Sequence, residues 1–193
     1  EIFDTTIGWR FVNPAFKANF GVDSMPETAE NVAEKYQISR EDQDIFAYNS
    51  QQKVAKAQAE GIFADEIMTV ERLDRKKNVI QFSEDEHPRA DTILEALTKL
   101  KTPFRKEGGS VTAGNASGVN DGAACVLLAN EGFAHAHGLN KIAKVIGIAS
   151  AGVEAKYMGI GPVPAVQKVL KQTGLSLDQM DVIELNEAFA AQA

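Results

Sequence analysis

Three short apolar runs constrain the fold of the second part of this chain more than any other feature. Residues 123–129, 142–149 and 182–185 are almost entirely apolar, and helical or glycine-containing segments separate them. Runs of this length and composition are typical of strands buried on both faces, and their alternation with helices is typical of layered α/β folds. The sequence therefore predicts an α/β architecture after about residue 107, with a last strand at 182–185 that leads into a terminal helix.

The first part of the chain predicts helices instead. Ser24 and Glu27 have the spacing of a capping box, and an apolar residue recurs every three to four positions after them. A second helix is predicted from Ser39 until Gly61 ends it. We expect the two helices to form a helical hairpin.

Shorter elements are predicted around and beyond this hairpin. Residues 67–73 and 79–82 are expected to pair as strands across a charged turn, and the mixed-charge run 84–89 is expected to be a solvated loop. Residues 1–23 carry aromatic side chains without a period, which fits a locally packed loop and a partner-covered surface equally well. Amphipathic patterns predict three more helices, at 92–101 with Ile93, Leu94, Leu97 and Leu100 inward, from about 130 to 138, and at 164–172.

Composition excludes several classes of protein. The chain has 193 residues, a net charge of −7 and one cysteine. Its acidity argues against a nucleic-acid partner, and its longest apolar stretch is far shorter than the roughly 20 residues of a membrane helix. A single cysteine excludes an internal disulfide framework and a cysteine-based zinc site. We expect a soluble, cytoplasmic protein that binds a small molecule or another protein.

The two ends indicate a piece of a longer polypeptide. The chain starts at Glu1 without methionine, and it stops at Ala193 inside a run of good helix formers. A closely trimmed boundary would explain the same ends.

The segment 111–122 is rich in glycine and small polar residues. Glycines let backbone approach a ligand closely, so the segment favours a binding loop, although an ordinary surface loop has the same composition. It is neither a Walker loop nor a dinucleotide fingerprint, because the residues that define those motifs do not follow or precede it.

A few side chains could carry chemistry. Asn186 follows the predicted strand 182–185, where it could cap the next helix, hold a water or donate to an oxyanion. Cys125 lies among apolar residues and is expected to be an inert core thiol. His135 and His137 do not share a helical face, and His87 is expected to be exposed in its acidic loop, so metal binding is not expected.

Three motifs in order resemble the thiolase family. They are VTAGNASGVNDGA from Val111, MGIGPVPA from Met158 and LNEAFAAQA from Leu185. The resemblance covers essentially the whole chain. The opening DTTIGWRFVNP with DSMPETAENVAE resembles the subgroup of β-ketoadipyl-CoA thiolases, which cleave 3-oxoadipyl-CoA in aromatic compound degradation.

The resemblance implies a thiolase-like layered α/β fold with an inserted, mainly helical lid domain. It implies that 1–118 form the lid and a CoA-binding loop, 119–139 end the N-terminal thiolase half, and 140–193 begin the C-terminal half. It further implies acyl transfer between CoA and a 3-ketoacyl-CoA through a cysteine acyl-enzyme. Coenzyme A is then a substrate, no cofactor or metal is tightly bound, and the full-length protein is a dimer or tetramer.

The family's two cysteines and its Gly-His-Pro histidine have no counterpart in this sequence, so the isolated chain is expected to be inactive. Asn186 matches the asparagine that holds a water in the oxyanion hole. Ser24 lies where some thiolases have histidine, and this difference would suit a polar acyl tail. The positions that match residues around the substrate and CoA are Met25, Arg89, Phe104, Ala113, Ser117, Met158, Ala188 and Phe189.

Two other classes stay open. A chain of thiolase-like fold could be a non-catalytic CoA or lipid carrier or an interaction module, and Asn186 favours the enzyme over these. Ketoacyl synthases share the core but generally lack the large lid and the Asn-Glu-Ala-Phe motif.

Overall fold

Helices dominate residues 9–193, which are the residues that the computed structural model describes. The α-helices are α1 Pro14–Phe20, α2 Met25–Tyr36, α3 Arg40–Ala59, α4 Leu94–Thr98, α5 Glu131–Ala136 and α6 Pro162–Thr173. The two strands are β1 Val70–Leu73 and β2 Val79–Phe82, and the 3₁₀ helices are Ala155–Ile160 and Leu177–Gln179. Of the aromatic opening at 1–23, residues 1–8 lie outside the described residues, and α1 occupies part of the rest.

Helix α2 begins where the capping box predicts. The backbone N–H of Ser24 donates to Oε2 of Glu27 over 2.8 Å, which satisfies one of the donors left open at the helix start. Gln37 follows the helix in the left-handed region, with φ of 55°, and so ends it. The predicted apolar face is confirmed by the burial of Ala29, Val32 and Ala33.

Helix α3 also has the predicted bounds, but its buried face is unusually polar. Ser39 caps it by accepting from the N–H of Asp42, and Gly61 follows its end with φ of +69°. Gln43 and Asp44 are fully buried, and Ala47 is the one apolar residue among the helix's buried positions. This polar face explains why the helix shows no clear apolar stripe in the sequence.

The hairpin of β1 and β2 is confirmed, with its first strand starting three residues later than predicted. The strands pair antiparallel from Val70 opposite Phe82 to Leu73 opposite Val79. Asp74 organises the turn between them. Hydrogen bonds from the backbone N–H and then the side-chain amide of Asn78 lower the pKa of Asp74 below its ordinary value of 3.8.

The predicted helix 92–101 is shorter than expected. Only α4 is helical there, and Leu97 is buried while Ile93 is exposed, so Ile93 does not point inward as predicted. The Arg40 guanidinium donates to the carbonyls of Leu97 and Leu100, which are acceptors that a longer helix would use. The side chains of Leu97 and Leu100 lie against the glycine-rich loop, because a Cβ at Gly114 would lie 2.6 Å from atoms of each, although Leu100 is also 37% exposed.

Helices α5 and α6 confirm the predictions made for the second part of the chain. The side chain of Asn130 accepts from the N–H of Phe133 and caps α5. Helix α6 begins at Pro162, two residues earlier than predicted, and Gly174 ends it in the left-handed region as expected.

The three predicted strands are not paired within the described residues. Leu127 in the first run is 81% exposed, and Ile148 in the second is 83% exposed. Cys125 is likewise exposed and is not a core thiol. Apolar composition indicates that a segment is suited to burial, whereas a strand also needs a neighbour to bond with, and residues 9–193 supply none at these places. The terminal helix predicted after 182–185 is also wrong, since 186–193 form turns and one isolated bridge.

The apolar core joins α2 to the glycine-rich loop and to the last residues of the chain. Its buried members are Ala29, Ala33, Val111 and Ala191, against which Ile38, Ala116 and Phe189 pack. These residues are small, so the cluster buries limited apolar surface. Contacts other than apolar packing must therefore fix the loop on the helix.

A buried carboxylate provides these contacts. Glu30 of α2 is 1% exposed, and its two carboxylate oxygens accept from the N–H of Ser110 over 2.9 Å each. The Ser110 hydroxyl donates over 2.8 Å and the N–H of Val111 over 2.9 Å. Hydrogen bonds to a charged acceptor are the stronger kind, so Glu30 fixes the start of the loop to the helix.

We expect Glu30→Gln to lower the free energy of unfolding by about 2–3 kcal/mol, because a buried amide N–H would face the N–H of Ser110. Glu34→Gln on the same helix is the control, since Glu34 is mostly exposed and pairs with Arg105 over 2.9 Å. That surface ion pair contributes about 0–1 kcal/mol. Urea unfolding followed by circular dichroism measures both variants. Equal losses in the two would show that the buried carboxylate has no special role.

Candidate functional site

The glycine-rich loop is organised by its own polar side chains. The N–H of Thr112 donates to Oδ1 of Asn115 over 2.7 Å, and the N–H of Gly114 donates to Oγ1 of Thr112 over 3.1 Å. The amide Nδ2 of Asn115 donates to the carbonyl of Ser110 over 3.0 Å and to Oδ1 of Asp44 over 3.1 Å. Asn115 thus closes the loop and joins it to α3.

Helix α3 presents a partly buried ion pair to this loop. Nε of Arg40 lies 2.8 Å from Oδ2 of Asp44, whose side chain is fully buried. The Arg40 guanidinium also donates to the carbonyls of Leu97 and Leu100 over 2.8 and 3.1 Å. Because both oxygens of Asp44 have partners, its charge is compensated in the absence of water.

The last residues of the chain pair with the loop. The N–H of Ser117 donates to the carbonyl of Ala188, and the N–H of Ala190 donates to the carbonyl of Asn115, each over 2.9 Å. Ala116 and Phe189 face each other in an antiparallel bridge between these bonds. The structure therefore brings three of the expected site residues, Ser117, Ala188 and Phe189, into one place.

Met25 and Met158 lie on two elements that contact each other, namely α2 and the 3₁₀ helix Ala155–Ile160. Both side chains are nearly half-exposed, at 49% and 42%. A Cβ at Gly159 would lie 3.2 Å from Cβ of Gln192 and 3.6 Å from Cγ2 of Val32. The element that carries Met158 therefore contacts both α2 and the chain segment that carries Ala188 and Phe189.

The remaining residues expected to contact CoA, namely Arg89, Phe104 and Ala113, are also exposed. The N–H of Arg89 donates to Oε1 of Gln51 over 2.8 Å, which fixes the Arg89 backbone beside α3. Phe104 is 42% exposed, and Ala113 is exposed at the tip of the glycine-rich loop.

Asn186 is exposed, and no helix follows it in residues 186–193, so it does not cap one in this structure. Its neighbour Glu187 is fixed instead, because the Ser50 hydroxyl of α3 donates to Oε2 of Glu187 over 2.6 Å. Asn186 therefore lies in the chain between the exposed run 182–185 and the residue that Ser50 binds.

Two negative findings apply to residues 9–193. No group of three or more histidine, cysteine, aspartate or glutamate side chains lies close enough to hold a metal ion. None of the helices there combines the length and the apolar composition that crossing a membrane requires.

Sequence reasoning missed the buried polar residues that hold the glycine-rich loop in place. They are Glu30, Gln43, Asp44 and Asn115. One signal was available, because Glu30 lies one turn before Ala33 on the arc of α2 that the apolar pattern marks as buried. A charged residue within a buried arc needs a partner, and it therefore indicates a polar contact. Gln43 and Asp44 gave no such signal, since α3 has no clear apolar face.

Comparison with known proteins identifies the family. Residues 12–132 match the profile of the thiolase N-terminal domain, and residues 139–193 match that of the thiolase C-terminal domain. The chain belongs to the thiolase family.

The curated relatives are about twice as long as this chain. The 3-oxoadipyl-CoA/3-oxo-5,6-dehydrosuberyl-CoA thiolase of Escherichia coli (strain K12) is 60% identical over 193 residues, which are all of this chain and 48% of that protein. A β-ketoadipyl-CoA thiolase of Acinetobacter baylyi is 58% identical, again over all of this chain and 48% of the relative. The chain spans about half the length of the curated relatives that it matches.

Two solved structures share the fold. The acetyl-CoA acetyltransferase of Bacillus anthracis superposes with a TM-score of 0.83 at 48% identity, covering 90% of this chain and 44% of that one. Human mitochondrial 3-ketoacyl-CoA thiolase gives 0.80 at 46% identity, covering 87% and 42%. These likenesses confirm the predicted thiolase α/β fold.

We expect Asn115→Asp to destabilise the loop, because it replaces an N–H donor with a second carboxylate about 3.1 Å from buried Asp44. Leaving buried charges uncompensated costs about 3–5 kcal/mol. Hydrogen exchange should accelerate at the N–H groups of Ser117 and Ala190, which join the loop to the last residues. Asn49→Asp is the matched control, since Asn49 is exposed on α3. Unchanged exchange in Asn115→Asp would contradict the role given to Asn115.

Proposed function

We propose that the full-length protein containing this chain is an acyltransferase that cleaves a 3-ketoacyl-CoA with free CoA. The substrate that we propose is 3-oxoadipyl-CoA, cleaved to succinyl-CoA and acetyl-CoA. The observation that carries the proposal is the pairing of the glycine-rich loop with the Asn-Glu-Ala-Phe segment through Ser117 and Ala188. The names of relatives 58–60% identical over all of this chain support the substrate.

The proposed binding site uses the surfaces that this pairing joins. Ser117, Ala188 and Phe189 provide small or apolar side chains, which fits a narrow channel for the pantetheine arm. Met25 and Met158 line the acyl side, where unbranched thioether side chains adapt to the shape of a substrate. The residues assigned to the nucleotide end and the loop tip are Arg89, Phe104 and Ala113.

Three regions follow from this proposal. Residues 1–118 form the lid and CoA-binding loop, 119–139 end the N-terminal thiolase half, and 140–193 begin the C-terminal half. In the described residues, α2, α3 and the hairpin all belong to the first region, in keeping with a mainly helical lid. We further propose that the full-length protein is a dimer or tetramer and that CoA serves as a substrate with no tightly bound cofactor.

Asn186 is the residue of this chain that we assign to the chemistry. A cysteine from elsewhere in the full-length protein attacks the 3-keto carbon of the substrate. The bond between C2 and C3 breaks, and C2 takes the electron pair and a proton to leave as the methyl group of acetyl-CoA. The acyl group stays on the cysteine as a thioester until the thiol of free CoA attacks it, which releases succinyl-CoA and restores the cysteine. Negative charge develops on the carbonyl oxygen during the attack. An amide that holds a water at this oxygen stabilises the charge mainly in the transition state. The exposure of Asn186 leaves its amide accessible for this role.

We expect Asn186→Ala in the full-length protein to lower kcat by on the order of 10²-fold, with a smaller rise in KM. Steady-state thiolysis of 3-oxoadipyl-CoA measures both constants. Asn140→Ala is the control, because Asn140 is exposed in a connection after α5. A normal kcat in Asn186→Ala would exclude an oxyanion role for Asn186.

We expect the isolated chain to show no thiolysis of 3-oxoadipyl-CoA or acetoacetyl-CoA, because the family's cysteines and Gly-His-Pro histidine are not among its residues. Cys125→Ser in the full-length protein should leave kcat largely intact, since the Cys125 thiol is not the proposed nucleophile. Turnover by the isolated chain that Cys125→Ser abolishes would overturn the mechanism. Binding of CoA by the full-length protein without any turnover would instead identify a carrier.

A further inference from the structure

A histidine ring lies against the glycine-rich loop from the segment that carries Arg89. A Cβ at Gly118 would lie 2.5 Å from Cε1 of His87 and 3.2 Å from both ring nitrogens. Gly118 is not among the glycines with positive φ, so its backbone conformation suits any residue. A side chain at position 118 would therefore have to displace the exposed imidazole of His87.

The same ring also makes a hydrogen bond to a residue that follows Gly118 in the chain. Nε2 of His87 lies 2.9 Å from Oδ1 of Asn120. An amide oxygen only accepts, so Nε2 is the donor in this contact.

Each of the two segments joined by His87 is anchored elsewhere. Beyond the backbone bond to Gln51, the carbonyl of Arg89 accepts from the Thr92 hydroxyl over 2.8 Å. Ser117, next to Gly118, is bonded to Ala188. The segment of Arg89 is thus bonded to α3, and the segment of Ser117 is bonded to the Asn-Glu-Ala-Phe segment. The imidazole of His87, which contacts Gly118, joins these two segments.

We propose that His87 is a positioning residue that sets the separation of Arg89 and Ser117, so that one CoA molecule contacts both. This inference rests on the function proposed above. Two contacts held at the separation that the ligand requires cost less conformational entropy on binding than two contacts that move independently. Because the contact acts on CoA binding and not on the reacting carbonyl, its loss affects the KM for CoA and leaves kcat unchanged.

The first test is His87→Ala in the full-length protein, with thiolysis measured against CoA concentration. Loss of one side-chain hydrogen bond and the ring contact should raise the KM for CoA about three- to tenfold. His87→Gln should recover most of the affinity, because its amide N–H can donate to Asn120. His135→Ala is the matched control, since His135 is exposed on α5. An unchanged KM for CoA in His87→Ala overturns the proposal.

The second test uses the close approach at Gly118. Gly118→Ala alone should displace the imidazole and raise the KM for CoA, whereas in the His87→Ala background the added methyl should have no further effect. Such non-additivity is the signature of direct contact. Additive effects of the two substitutions would show that the ring contact does not set the binding geometry.

Hydrogen exchange without CoA separates this inference from the proposed function. His87→Ala should increase exchange at the N–H groups of Arg89 and Ser117, with His135→Ala unchanged. A wild-type protein that neither binds nor cleaves acyl-CoA fails the proposed function, and the inference fails with it. A fully active wild type whose exchange and KM are insensitive to His87→Ala overturns the inference alone.

Discussion

The structure depends first on one buried carboxylate. Glu30 accepts all of the donors at the start of the glycine-rich loop, namely the N–H and hydroxyl of Ser110 and the N–H of Val111. Ser110 and Val111 lie 80 and 81 positions from Glu30 in the sequence, so no local preference could bring them together. Without this acceptor, buried N–H groups would lose their partners, and each such loss costs about 1–3 kcal/mol.

The contacts beyond Glu30 follow the same principle. Gln43 donates to the Ser110 hydroxyl over 2.9 Å, and Asp44 accepts from Asn115 and Arg40. The apolar cluster around Ala33 and Val111 is too small to orient the loop by packing alone. Directional hydrogen bonds orient the loop instead. In this orientation the N–H of Ser117 donates to the carbonyl of Ala188.

The sequence predicted the elements whose ends are determined locally. Helix α2 has its capping box, α6 has Gly174 at its end, and the hairpin has Asp74 in its turn. Local signals of this kind act within a few residues, so one sequence is enough to recognise them. The runs at 123–129, 142–149 and 182–185 were correctly recognised as apolar, yet strand formation needs neighbours, and composition does not supply these.

The candidate site was predicted residue by residue but not as an arrangement. The motif resemblance singled out Ser117, Ala188 and Phe189 separately, and only the fold shows that the first two share a hydrogen bond. The supporting residues Gln43, Asp44 and Asn115 escaped prediction because polar residues at these positions look like ordinary helix and loop surface. His87 is exposed as predicted, but its contacts with Gly118 and with Asn120, 33 positions later, have no local signal in the sequence.

Because Glu30 and Asp44 hold residues 110–115 by hydrogen bonds, this segment cannot easily accept an insertion or a deletion. Every bond there depends on register, so inserting or deleting one residue between Ser110 and Asn115 would separate several donors from their acceptors at once. The bonds that Asp74 makes in the hairpin turn are local, to the N–H groups of Lys76 and Asn78, and the free-energy cost of lengthening a connection grows slowly with its length. Alignments of related chains should therefore tolerate gaps at the tip of the hairpin and exclude them from the loop.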